Sequence, residues 1–153
     1  RYGIPKPNYR AFQLLHWSGD KLVETTPNTM LSSNETLGVF AVAGESNTSI
    51  FLVNWNVKSQ PITIQTAEVT VDGFPSSSFV KATEYRIDDT HANAYPLWVS
   101  MGKPAYLTPN QVAQLKTAST LRGTSLPIQR ISADSIRFTV SVPAYSVVNV
   151  ILS

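Results

Sequence analysis

The sequence predicts an all-β protein: an antiparallel β-sandwich with an N-terminal helix and one inserted short helix. Three observations carry this reading. Seven short runs rich in β-branched residues are separated by Gly, Pro, Ser or Asn, the pattern of sandwich strands and their turns. One stretch ahead of them has helical spacing, and another, between the fourth and fifth runs, opens with a helix-start signal.

Taken in order, "PKPNYRAFQLLHWSG" has Pro5 and Pro7 as start signals and Gly19 as a stop. Tyr9, Phe12 and Leu15 fall three apart on one stripe, with His16 beside them, so a short amphipathic helix is expected. The period then changes. "LGVFAVAG", "SIFLVNWNV", "PITIQTAEVTVDG" and "FVKATEYRID" read as strands, and "PIQRIS", "SIRFTVSV" and "AYSVVNVIL" follow later, for seven or eight strands. In "IFLVNWN" the alternation places Phe51, Val53 and Trp55 on one face, expected to be the inner one. In "TPNQVAQLKTAS", Thr108 can cap, Pro109 suits the first helical position and Gln111 completes a capping box. A helix over about 109–119 follows, with Val112 and Leu115 as its buried face.

A chain of 153 residues, 42% of them hydrophobic, is the size of one ordinary domain with a real core. No run of eighteen apolar residues is present, so no membrane partner is expected. A net charge of +2 with scattered basic residues carries no footprint for nucleic acid. With no cysteine, disulfides and thiolate chemistry are absent. Asn34 in "NET" and Asn47 in "NTS" fit the glycosylation pattern, from which a secreted protein is expected. Because the chain opens with Arg1 and carries no signal peptide, a processed product or an excerpt of something longer is expected.

The densest polar stretch is "YRIDDTHANAYPLW", residues 85–98. Asp88 and Asp89 are poor candidates for a glycosidase pair, because adjacent strand residues point to opposite faces. In a turn they would accept local backbone N–H bonds. His91 and His16 offer no metal-ligand spacing, and no nucleophile elbow, phosphate loop or dinucleotide glycine pattern occurs. Neither a metal nor a cofactor is expected, and no catalytic residue is assigned. Arg86 is read as half of an ion pair with Asp88 or Glu84. Tyr95, Trp98 and Tyr106 could be core or a platform for sugar rings. If a sugar is bound, the candidates are Asp88, Asp89, His91, Asn93, Tyr95 and Trp98; otherwise the stretch is an ordered polar loop that holds shape beside another surface.

The segments "GIPKPNYRAFQLLHWSGD", "VNWN" and "YRIDDTHANAYPLWVSMGKPAYLTPNQVAQLKTAS", in that order, resemble the C-terminal part of glycoside hydrolase family 39, which includes β-xylosidases and α-L-iduronidase. The resemblance implies a (β/α)8 barrel followed by a β-sandwich. Residues 1–20 would correspond to the last barrel helix and 21–153 to the sandwich. The family's catalytic glutamates belong to the barrel; Asn34-Glu35 matches the Asn-Glu dipeptide only superficially, because it sits in a polar sequon. Two functions therefore follow as expectations. One is a non-catalytic accessory domain bracing a barrel. The other is a stand-alone secreted carbohydrate-binding protein, a lectin. Hydrolysis at a different site is a third reading. The partner is a carbohydrate or a glycosidase barrel, with self-association through residues 9–17 possible. A domain separated from its barrel should expose the stripe Tyr9, Phe12, Leu15 and Trp17, whereas a lectin should cover it.

Overall fold

The computed structural model describes residues 2–26, 36–56, 61–73 and 81–153. Two antiparallel sheets pack face to face. The larger contains β1 (Lys21–Val23), β2 (Leu37–Ala43), β3 (Thr48–Asn54), β5 (Ala82–Ile87), β6 (Gly123–Leu126) and β9 (Ser146–Leu152), in the order β1-β2-β3-β9-β5-β6. The smaller has the order β4-β8-β7, from β4 (Gln65–Asp72), β7 (Gln129–Arg130) and β8 (Ser135–Val142). The all-β sandwich read from the pattern is therefore the fold.

Between the sheets, Ile50 and Leu52 of β3, Val148, Val150 and Leu152 of β9, and Phe138, Val140 and Val142 of β8 form the main core. The register explains the layers: Ile50 lies opposite Val150 and Leu52 opposite Val148, so their side chains emerge on the same face. Asn54 closes one end of this core. Fully buried, its Nδ2 donates to Val142 O at 3.0 Å and to Thr63 O at 2.9 Å, and its Oδ1 accepts from the Thr36 hydroxyl at 2.5 Å.

The expected inner face of β3 is corrected here. Ile50, Leu52 and Asn54 point into the sandwich, while Trp55 is exposed. Phe51, on the opposite face, is buried because helix α1 (Pro7–Trp17) covers that side of the sheet. There Phe51 stacks on Phe40 at 4.7 Å between ring centroids and joins Leu14, Ile87 and Ala92 in a second cluster. A strand covered on both faces loses the simple alternation that marks an inner side.

Helix α1 begins as its prolines dictate, with Pro7 in the first turn. Only Leu14 is fully buried along it. Arg10 Nε donates to Ser119 O at 2.6 Å, Trp17 meets Tyr85 edge-on at 5.6 Å, and Asn47 Nδ2 donates to Trp17 O at 3.4 Å. Gly19 makes the close connection to β2 possible, since a Cβ there would lie 1.9 Å from Ala43 O.

Helix α3 (Pro109–Ala118) carries the expected capping box: Gln111 N donates to Thr108 Oγ1 at 3.3 Å, and Thr108 N to Gln111 Oε1 at 2.9 Å. Leu115 is its buried residue and Val112 is half-buried. A further helix, α2 (Tyr95–Ser100), stands where a polar loop was expected, so the described residues contain three helices rather than two.

Candidate functional site

Strand β5 delivers the polar segment. After Ile87 the chain turns around Asp88, whose Oδ1 accepts from Thr90 N at 2.7 Å, His91 N at 2.8 Å and the Thr90 hydroxyl at 2.9 Å. This is an aspartate satisfying the donors of its own turn. His91 Nδ1 lies 2.9 Å from the same oxygen, and Asp88 N donates to His91 O at 3.1 Å. Burial alone would raise the pKa of Asp88. The Thr90 N–H, the His91 side chain and the Thr90 hydroxyl outweigh it and hold the carboxyl below its ordinary value. Ala92 closes the turn in the left-handed region, at φ 52°, with its methyl buried under α1.

The six sequence candidates do not form one cluster. Asp88 spends its carboxylate inside the turn, while Asp89 is exposed. Asn93 Oδ1 accepts from Tyr95 N at 3.0 Å and so starts α2. On that helix Tyr95 and Trp98 pair at 5.9 Å between centroids, and Trp98 Nε1 donates to Pro104 O at 3.2 Å. Tyr95 is 60% exposed. Of the six, His91 alone lines the cleft described next. Asn34 and the Asn34-Glu35 pair lie outside the described residues, and Asn47 is half-buried in the β2–β3 connection.

Arg86 pairs with Glu84 through its Nε and not with Asp88. Glu84 is buried, so this is a partly desolvated pair on one face of β5. It lies at a cleft of about 780 Å³ lined by Arg86, His91, Gln114, Arg122 and Thr124, among others. Glu84 lines an inner recess with four of the same residues. Arg122 carried no local signal in the sequence. It reaches the cleft because β5 and β6 pair with Tyr85 opposite Gly123. Gly123 is required there, since a Cβ would come within 2.8 Å of the Tyr85 ring. Among the described residues no three His, Asp or Glu side chains converge to hold a metal.

A family model described as glycosyl hydrolases family 39 matches residues 2–129. A β-xylosidase from Caldicellulosiruptor saccharolyticus is 33% identical over 149 residues, which is 97% of this chain and 30% of that relative. The family 39 enzyme from Xanthomonas axonopodis pv. citri superposes with a TM-score of 0.74 at 17% identity, over 99% of this chain and 31% of its own. A family 39 β-xylosidase from Caulobacter crescentus gives 0.66 at 20% identity, over 99% and 28%. At those identities the two structures speak for the fold. The chain thus spans about 30% of the length of the relatives it matches. By sequence match, by the order of its segments and by its sandwich, the chain belongs to glycosyl hydrolase family 39.

Proposed function

We propose that these residues serve as a non-catalytic accessory sandwich of a family 39 glycosidase, and that the outward side of α1 docks against the catalytic barrel. One observation carries this reading. Leu14 fixes the inner side of α1 to the sandwich, while Tyr9 and Phe12 are 60% and 70% exposed and Leu15 is exposed beside them. An apolar stripe of this kind on a helix that the sandwich already holds in place is the signature of a surface built for a partner. The occupant is the barrel, because most of the length of the matched relatives lies outside the region this chain covers. The two buried carboxylates of the polar segment also favour it: Glu84 is engaged by Arg86 and Asp88 by its own turn, which leaves neither to act as half of a glycosidase pair.

Sedimentation of the 153-residue chain with a separately produced family 39 barrel polypeptide tests the reading. A one-to-one complex that Phe12→Asp abolishes is expected, together with no hydrolysis of an aryl β-xyloside by the chain alone. Turnover by the chain alone, or a chain that ignores the barrel and stays monomeric at high concentration, would overturn it.

A second reading, a stand-alone sugar-binding protein, is favoured by the exposed Tyr95 beside Trp98 on α2, an arrangement on which a sugar ring can stack. A glycan array decides it: saturable binding lost in Tyr95→Ala supports a lectin, and silence across the array removes that reading.

A further inference from the structure

The cleft at the end of β5 and β6 holds two guanidinium groups against one carboxylate. Tyr85 stands opposite Gly123 at the last step of the ladder. Arg86 and Arg122, the next residue outward on each side, are therefore cross-strand neighbours, and both line the cleft. Like charges directly across a ladder are unfavourable unless something neutralises them. Glu84 answers only Arg86, and it takes the Nε, so the terminal nitrogens of Arg86 meet no protein acceptor among the described residues. Arg122 has neither a hydrogen-bond acceptor nor a counter-charge among them. His91 faces the same space with Nδ1 committed to Asp88, leaving Nε2 available. Thr124 and Gln114 add a hydroxyl and an amide to the lining.

We propose that this cleft binds a small hydroxylated oxyanion, a sugar-sized molecule carrying a carboxylate or a sulfate ester. The buried Glu84 holds the Arg86 fork in place before any ligand arrives, which lowers the ordering cost of binding. A planar oxyanion edge then matches the donors left over on the two forks. The volume of about 780 Å³ falls in the range of small-molecule sites, and Ala92, Leu97, Ala113 and Ala118 give it an apolar wall, against which the C–H face of a sugar ring can lie while its polar groups meet the guanidinium side. This site is separate from docking through α1 and does not depend on it.

Isothermal titration of the 153-residue chain with gluconate and with glucose 6-sulfate is the test, with glucose and inorganic sulfate as controls. Both hydroxylated anions should bind, glucose should not, and inorganic sulfate should bind more weakly than either. Arg122 is exposed, so Arg122→Gln should keep the wild-type thermal midpoint while weakening binding about tenfold or more, the scale of a lost charge-assisted pair. Equal binding of glucose, inorganic sulfate matching the sugar anions, or unchanged affinity in Arg122→Gln would each overturn the proposal. Sedimentation with a barrel polypeptide should be unaffected by Arg122→Gln, which keeps failure here distinct from failure of the docking reading.

Discussion

Arg10 Nε donates to the carbonyl of Ser119 at 2.6 Å across 109 positions of sequence, tying helix α1 to the end of α3. Ser119 is fully buried, so without Arg10 that carbonyl would lack a side-chain partner in a place water does not reach. Arg10→Met should therefore cost about 1–3 kcal/mol. Urea denaturation, followed by a drop in midpoint without a change in slope, checks it.

Two neighbouring helical positions should behave oppositely. Leu14→Ala removes a side chain with no exposure, at the contact with Phe51 and Ile87, and should cost about 2–5 kcal/mol. Phe12→Ser, on the outward stripe, should change stability by no more than about 0.5 kcal/mol while reducing self-association at high concentration. Thermal melts and sedimentation on the two variants separate the face that holds the helix from the face it offers.

Gly19→Ala should disrupt the connection into β1, because the added methyl would lie 1.9 Å from Ala43 O and that neighbour is backbone. A loss of about 1–3 kcal/mol is expected from such overpacking, with proteolysis appearing first near the end of α1. The same methyl would lie 2.2 Å from Gly44 N, so every close neighbour is backbone and none is a side chain that can swing away.

Acid should find Asp88. Its folded carboxyl titrates below the ordinary value of 3.8, so its stabilising contribution is complete above that value and is lost as pH falls through the lower folded one. Asp88→Asn should be less stable than the wild type at neutral pH, by about 1–2 kcal/mol for the lost charged acceptor. The gap should close below about pH 4. A pH series of denaturation midpoints for the two proteins checks the crossing.

What the sequence made legible was local. The capping box of Thr108 and Gln111 lies within four residues, and it folds as read. The turn role of Asp88 was visible for the same reason, since its partners are two and three residues on. The face of β3 was misread because α1 buries Phe51 from the side that should have been solvent, a tertiary fact that alternation cannot encode. Helix α2 was missed because it is only six residues long and its cap comes from Asn93, one position before the residue that usually provides it. Arg122 was invisible because a strand pairing, and not proximity in sequence, brings it to Arg86.

The place of β9 has a consequence for how the chain reaches this structure. In the hydrogen-bonded ladder of the described residues, strands β1 to β3 join strands β5 and β6 through it, since it lies between β3 and β5. Until residues 146–152 are in place, each half of the large sheet carries a raw inner edge, β3 on one side and β5 on the other. Contacts so far apart in sequence make closure slow, and unpaired edges invite wrong partners in the interval.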